Sequence, residues 1–364
     1  MTERTGSVSN RASLLWTAGI TVLVLGTGPL LSSAPELAGF LVFLPATIAA
    51  VGTVRQTVWV SAWIVLATAG ALLQQPASHL AVDIALVVFS VAFGALAVYL
   101  CHWRISRTEQ TTRLRSAATA MQRQLLRPLP QVTHEVLVAG VYDPLQEESL
   151  VGGDIYDVIE TAYGTRVLLA DVQGKGLPAL GTAFAVIGAF REAAHREPTL
   201  TGVVEALEHA VVRQNHYAGE AGEPERFVTA LVLGLDADPE AQVVNCGHPL
   251  PYILGPRGVS RLQLQGAHVP LGLGALVADV RTVDWFDLAA DETLLLYTDG
   301  LIESRDREGS FFPLEERLQE IGEVTPSQLA DLLRVQVRAF TGGRQQDDIA
   351  VLALRRASLA QRTA

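Results

Sequence analysis

An α+β layered domain with antiparallel sheets, preceded by an all-α region of four apolar helices, is the fold class that the sequence predicts. Two observations carry it. Up to about residue 103 the chain is a succession of apolar runs, and from residue 135 short β-rich runs follow one another in hairpin order, interrupted by helices that come in pairs. A length of 364 residues suits two domains, and the mean hydropathy of +0.29, high for a water-soluble chain, is concentrated in the first of them.

The apolar runs are Leu14 to Leu31, Leu37 to Val54, Val58 to Leu73 and Leu80 to Cys101. A bilayer core of ~30 Å needs about 20 apolar residues in a helix, so three runs are long enough and the third is slightly short. Trp16, Trp59 and Trp103 lie near run ends, as interfacial anchors do. Asp83 is the one charge inside a run; one turn from its start, it either snorkels to the interface or serves as an intramembrane sensing residue. This scarcity of charge argues against buried helices of a soluble core. A cleaved signal peptide is disfavoured because three further runs follow the first. Arg4 and Arg11, Arg55, and Arg104, Arg107, Arg113 and Arg115 flank alternate ends of the runs, while connections 32–36 and 74–79 carry no Lys or Arg. The positive-inside rule therefore places both termini, and the later domain, in the cytoplasm of a multi-pass cell-membrane protein. The expected division is a membrane region at 1–103, a linker at 104–130, a catalytic domain at 131–357 and a tail at 358–364.

His102 to Leu126 reads as one polar helix stopped by Pro128 and Pro130. Leu114, Ala118, Met121 and Leu125 recur on it in 4-3-4 spacing. That is either the seam of a coiled coil, giving a homodimer through residues 104–126, or a face packed on the chain's own domain. Strands are expected at Val136 to Tyr142, Ile155 to Glu160, Arg166 to Val172, Phe227 to Leu235, Ala241 to Cys246, Tyr252 to Leu254, Thr293 to Tyr297 and Asp348 to Leu354. Helices are expected at Ala179 to His195, Thr201 to His216, Leu314 to Ile321 and Pro326 to Phe340. The Gly- and Glu-rich segment 218–225 reads as an exposed loop.

Charge divides with the domains: residues 1–130 are net +5 and the remainder is net −16. An acidic catalytic half argues against nucleic acid as a partner and suits a protein that concentrates divalent cations. The two cysteines, Cys101 and Cys246, lie at the expected membrane edge and in the cytoplasmic half, so a disulfide is not expected. Cys101 is read as a small apolar helix residue, with acylation as the alternative. Cys246 lacks the loop of backbone amides and Arg that a thiol phosphatase needs.

Four acidic signatures mark the second half: Gly152-Gly153-Asp154-Ile155-Tyr156-Asp157, Asp171-Val172-Gln173-Gly174-Lys175-Gly176, Tyr297-Thr298-Asp299-Gly300 and Asp347-Asp348-Ile349-Ala350. Each stands at the start or end of an apolar strand-like run, where folding brings carboxylates from distant parts of the chain together. Such carboxylates raise one another's pKa unless a hard cation is present. All-oxygen ligation selects Mg²⁺ or Mn²⁺, and no His/Cys set stands at zinc spacing.

In this order, and together with Met121 to Pro130, Phe227-Val228-Thr229-Ala230, Gly247-His248-Pro249 and Pro270-Leu271-Gly272, these signatures resemble the metal-dependent protein phosphatases of the protein phosphatase 2C superfamily, most closely their bacterial SpoIIE-type branch. The resemblance runs from about Met121 to Arg355. It implies an α-β-β-α sandwich of two antiparallel sheets and a Mn²⁺/Mg²⁺-dependent phosphoserine/phosphothreonine phosphatase with two ions. The substrate it implies is a phosphorylated signalling protein, typically an anti-sigma-factor antagonist. By resemblance Asp171 bridges both ions, the Val172 carbonyl ligates the second, Asp299 and Asp347 complete the first, and Asp154 serves the second directly or through water. Asp348 is the alternative to Asp347. Asp157, three residues from Asp154 on an expected strand, points to the opposite face and is read as structural.

Two such ions lower the pKa of a water for in-line displacement, so no protein nucleophile is required. Lys175, the only lysine in the chain, either attracts phosphate beside a helix N-terminus or is a surface residue of a glycine turn. His248 is either a proton donor to the leaving group or, preferably, a turn-stabilising residue. The family usually has Thr where Ala350 stands, a hydroxyl that supports the neighbouring carboxylate; its loss weakens that support and motivates the alternative of a catalytically silent phosphoprotein-binding regulator. A four-helix transporter is disfavoured because the membrane runs lack a polar pathway.

Overall fold

The computed structural model describes Gly19 and residues 41–72, 80–144, 153–174, 176–265, 268–277, 281–345 and 347–357. Contacts divide the chain into two compact units, Met1–Arg113 and Leu114–Ala364.

The first unit is helical. A 3₁₀ turn at Leu41–Phe43 leads into α1 (Leu44–Val51), followed by α2 (Val54–Leu72), and α3 spans Leu80–Leu125. Thr53 and Gln56 form a reciprocal cap at the start of α2: the Thr53 N–H donates to Gln56 Oε1 at 2.8 Å and the Gln56 N–H to Thr53 Oγ1 at 3.3 Å. The carbonyls orphaned at the end of α1 are taken up by the Arg104 guanidinium, which donates to Ala50 O and, at 2.6 Å, to Gly52 O. Large apolar side chains face outward on α2 and α3, among them Trp59, Leu66, Val88 and Tyr99.

Of the four expected membrane helices, one stretch among the described residues, Ile84–Gln110, is long and apolar enough to cross a bilayer. The run Leu14 to Leu31, apart from Gly19, and the connection 74–79 lie outside the described residues. The second run does not form one helix over its described part: α1 stops at Gly52, whose backbone is extended, leaving 8 residues. The polar helix expected from His102 is not a separate element, because the fourth apolar run continues into it without a break as α3. Nothing in Leu80 to Leu125 breaks a helix, and the first proline comes at Pro128. The side chains of the proposed seam, Leu114, Ala118, Met121 and Leu125, lie outside the described residues.

The second unit is an α-β-β-α sandwich, as the resemblance implies. One antiparallel sheet has the order β1-β2-β11-β10-β7-β8, formed by Gln131–Val132, Val136–Asp143, Ile349–Arg356, Thr293–Tyr297, Tyr252–Gly255 and Gly258–Arg261. The other has the order β3-β4-β5-β6-β9, formed by Asp154–Thr161, Gly164–Val172, Val228–Leu235, Glu240–Cys246 and Asp284–Asp287. Helices α4 (Leu177–Arg196) and α5 (Leu200–Glu220) pack on the five-stranded sheet, and α7 (Leu314–Ile321) and α8 (Pro326–Phe340) on the six-stranded one. Alternation along the strands explains the layering. Leu294, Leu296, Leu352 and Leu354 point into the large core shared with Ile155 and Leu169, whereas Leu295, Tyr297, Val351 and Ala353 point outward beneath Leu318, Leu329 and Leu333. Caps fix the helix starts: Thr199 Oγ1 accepts the Gly202 N–H at 3.2 Å on α5, and Thr325 and Gln328 form a capping box on α8.

Expected strands and helices of this unit are found within a few residues, but a 3₁₀ turn at Gly274–Leu276 and four further elements escaped the sequence reading. They are β1, β8, β9 and the one-turn helix α6 (Asp299–Ile302). All are two to four residues long, too short for a period to register.

Candidate metal centre between the sheets

Asp154 opens β3 and Asp171 stands one residue before the end of β4, and the antiparallel register places the two opposite each other. Their backbones are pressed together there. The Val172 N–H donates to Gly153 O at 3.2 Å, and a Cβ on Gly153 would lie 2.5 Å from the Val172 carbonyl oxygen and 2.8 Å from Asp171 Oδ1. Only glycine fits at Gly153, and the space a side chain would fill is bordered by two of the expected ligand oxygens.

From the other sheet, β10 ends at Tyr297 and Asp299 begins α6, while Asp347 and Asp348 immediately precede β11. The two segments are stitched together by Thr298, which is fully buried. Its N–H donates to Ala350 O at 3.0 Å, its Oγ1 accepts the Ala350 N–H at 3.0 Å, and the same hydroxyl donates to Asp154 Oδ2 at 2.7 Å. One side chain therefore joins β10, β11 and, across the sandwich, β3. A Cβ on Gly300 would stand 1.9 Å from Asp348 O, a distance no rotamer relieves. Gly300→Ala is expected to lower stability by about 3 kcal/mol or more, as overpacking against backbone does, measured as a shift in urea midpoint without a change of slope.

Electrostatics show that the carboxylates converge. Burial pushes the Asp154 carboxyl well above its ordinary range, reinforced by Asp171, Asp348 and Asp299 and opposed by the Thr298 hydrogen bond. Burial raises Asp171 to about 7, reinforced by Asp299, Asp347 and Asp348 and opposed by a hydrogen bond with Asp154. Asp348 is 3% exposed whereas Asp347 is on the surface, and Asp347 Oδ1 accepts the Asp348 N–H at 2.9 Å. Asp299 and Asp347 thus act on Asp171, while Asp348 acts more on Asp154.

The donor set fits a hard divalent cation. It is made of carboxylates and one carbonyl, its members destabilise one another as anions, and no His or Cys stands among the expected ligands. Among the described residues, no three His, Cys, Asp or Glu side chains already close around a single point as a preformed cage.

Other residues singled out in the sequence fall elsewhere. Asp157 lies on the opposite face, fully buried, 2.6 Å from Arg191 Nε of α4 and 3.7 Å from Arg127 Nε; its role is structural. His248 is 5% exposed, and burial pushes its imidazole down to about 3, so at neutral pH it is neutral and not the imidazolium that a proton donor to the leaving group would be. Its backbone is gripped on both sides by Asn245, with bonds of 2.7 and 3.0 Å, and its Nδ1 lies 3.1 Å from Thr229 Oγ1. Thr229 is the cross-strand partner of Asp171, so the histidine supports the neighbour of a ligand. Cys246 is buried, which pushes its thiol up to about 11 and leaves it inert as a nucleophile. Lys175 and Gly152 lie outside the described residues. Thr298 was missed as a functional residue; a hydroxyl next to a candidate ligand at the end of a buried strand was the available signal.

Residues 161–357 match the family model described as stage II sporulation protein E (SpoIIE). That span takes in Asp171, Val172, Asp299 and Asp347 and begins after Asp154. Of three similar solved structures, the first shares the fold. The PP2C domain of SiaA from Pseudomonas aeruginosa matches with a TM-score of 0.53 at 18% identity, over 66% of this chain and 94% of that one. The PP2C phosphatase domain of SpoIIE from Bacillus subtilis, with a fragment of its regulatory domain, matches at 0.49 and 17% identity, over 61% and 64%. The catalytic domain of the serine/threonine phosphatase PstP, solved in complex with two manganese ions, matches at 0.45 and 18% identity, over 62% and 99%.

Proposed function

Because the chain belongs to the SpoIIE family, we propose that it is a Mn²⁺/Mg²⁺-dependent phosphoserine/phosphothreonine protein phosphatase, anchored in the cell membrane with its catalytic domain in the cytoplasm. The observation that carries the reading is the convergence of Asp154, Asp171, Asp299, Asp347 and Asp348 from the ends of strands in two facing sheets. Asp171, Asp299 and Asp347 are assigned to one ion, and Asp171, the Val172 carbonyl and Asp154 to the other. Two ions bound there supply Lewis acidity, lowering the pKa of a water and neutralising phosphoryl oxygens for in-line displacement. The protein's own part is to place the oxygens. Asp154 is held by the Thr298 hydroxyl, and Asp171 is fixed opposite Asp154 by the β3–β4 register. Neither His248 nor Cys246 takes part in proton or phosphoryl transfer, the first being neutral and the second protonated at neutral pH.

Thr298 also bears on the silent-regulator alternative. Position 350 carries no hydroxyl, but Thr298, at the end of β10, bonds Ala350 and holds Asp154, so at least one of the expected ligands keeps a supporting hydroxyl. This favours an active enzyme. The full-length protein in detergent is expected to hydrolyse an aryl phosphate with Mn²⁺, to lose that activity in EDTA and to regain it with excess Mn²⁺. Calorimetric binding of two ions with no turnover of any phosphoprotein would establish the silent regulator instead.

The substrate class we assign, a phosphorylated signalling protein of the anti-sigma-factor-antagonist type, rests on the family resemblance. Membrane anchoring rests on the apolar stretch Ile84–Gln110 and on the apolar runs and Arg pattern of the sequence. Dimerisation through residues 104–126 remains part of the proposal on the 4-3-4 spacing alone.

A further inference from the structure

Between β6 and β7 the chain crosses from the five-stranded sheet to the six-stranded one, over residues 247–251. Both sheets hold the crossing. Ala230 of β5 bridges Gly247, and the Tyr297 hydroxyl of β10 donates to Leu250 O at 3.0 Å. Gly247 has a φ of 71°, and a Cβ there would lie 2.9 Å from Pro270 Cγ, so the turn needs glycine. The Asn245 side chain closes it by accepting the His248 N–H at 2.7 Å and donating to the His248 carbonyl at 3.0 Å. Those bonds use only the backbone of residue 248. The turn therefore accounts for the path of the chain but not for the imidazole, a polar ring whose burial costs free energy unless it is hydrogen-bonded.

The ring lies between two strand positions that flank expected ligands. Its Nδ1 is 3.1 Å from Thr229 Oγ1, and Thr229 stands opposite Asp171 in the β4–β5 register. On the side of the other sheet is Tyr297, two residues before Asp299. Burial pushes the imidazole down to about 3 and the Tyr297 backbone opposes that shift, in an interaction short of a full hydrogen bond, since Nε2 has no partner within bonding distance. We propose that His248 is a positioning residue of the metal centre: its buried, neutral imidazole is a strut between Thr229 and Tyr297 that sets the separation of Asp171 and Asp299, the carboxylates assigned to one ion. The inference rests on the metal assignment above and adds to it a residue that touches no ion. A fixed separation matters most to a small cation, because Mg²⁺ demands near-ideal octahedral geometry whereas Ca²⁺ accepts flexible, longer coordination.

The test is calorimetric titration of the full-length protein in detergent with Mg²⁺ and, separately, Ca²⁺. His248→Ala is expected to weaken Mg²⁺ by roughly tenfold or more, the scale of lost support behind a metal ligand, and Ca²⁺ by no more than a few-fold. Thr229→Val removes the hydroxyl on which the strut stands and is expected to show the same loss. The double variant is expected to be no worse than the poorer single one, because both changes break one connection. Thr229→Ser, which keeps the hydroxyl, is expected to bind Mg²⁺ as the parent does. Equal weakening of Mg²⁺ and Ca²⁺ in His248→Ala overturns the proposal, as do losses that add in the double variant. If His248→Ala does not fold, the Thr229 pair decides: equal Mg²⁺ affinity in the Val and Ser variants overturns it. Parental Mg²⁺ binding in His248→Ala overturns this inference alone, whereas a parent that binds neither ion overturns the phosphatase reading and the inference with it.

Discussion

Asp171→Asn is expected to lower turnover by roughly 10³-fold while making the metal-free protein more stable near neutral pH. The kinetic half follows from position. Asp171 is the one carboxylate assigned to both ions, so a neutral amide there weakens each, and loss of one well-placed electrostatic group typically costs about 10²- to 10³-fold, or roughly 3 to 4 kcal/mol of transition-state stabilisation. The stability half follows from linkage. Folding raises the Asp171 carboxyl from 3.8 to about 7, first through burial and then through Asp299 and Asp347. Between those values the folded protein keeps a proton that the unfolded chain has released. The stability contributed by this group is therefore fully present below 3.8 and is lost as the pH rises toward about 7. In EDTA, the melting temperature of the parent is expected to fall across that interval, and that of Asp171→Asn to fall less. A variant with parental kcat and KM would remove Asp171 from the metal centre; identical melting profiles would remove it from the buried acidic cluster.

Thr298→Val carries the second large effect. The substitution keeps shape and burial but removes a hydroxyl that accepts from the Ala350 N–H and donates to Asp154 Oδ2. A buried N–H is left unsatisfied, at a cost of about 1–3 kcal/mol. Asp154 also loses the one interaction that opposes its raised pKa. Removal of a group that orients a metal ligand typically costs about 10- to 100-fold in metal affinity or activity. The expected pattern is a higher Mn²⁺ concentration for half-maximal rate, with Thr298→Ser, which restores the hydroxyl, returning most of it. If Val and Ser variants show the same Mn²⁺ dependence as the parent, Thr298 serves only to join β10 to β11.

Much of the candidate site was legible in the sequence because its residues sit at the ends of long, strongly periodic strands. Asp154, Asp171 and Asp299 each adjoin a run of buried Val, Ile and Leu, and such runs announce both the strand and its end. Asp157 was likewise readable as structural, since three residues along a strand reverse the face, and the structure places it against Arg191 on the helix side. The short elements β1, β8, β9 and α6 were not legible, because two to four residues carry no period and are held by neighbours already in place. The continuity of α3 was missed for a different reason: a change from apolar to polar composition at Cys101 was taken for an element boundary, although composition sets what surrounds a helix and not where it stops.

What the sequence determined by itself was the α+β class of the second unit, most of its strands and helices, and an oxygen-only donor set suited to a hard divalent cation; these follow from local periodicity and side-chain chemistry. What only the tertiary structure decided was which groups meet. Thr298 reaches across the sandwich to hold Asp154; Asp347 and Asp348 divide between an exposed and a buried place; and His248 is too deeply buried to be an imidazolium at neutral pH. Each of these depends on contacts between residues far apart in the chain, and desolvation and cross-sheet hydrogen bonds exist only once the two sheets have closed on each other.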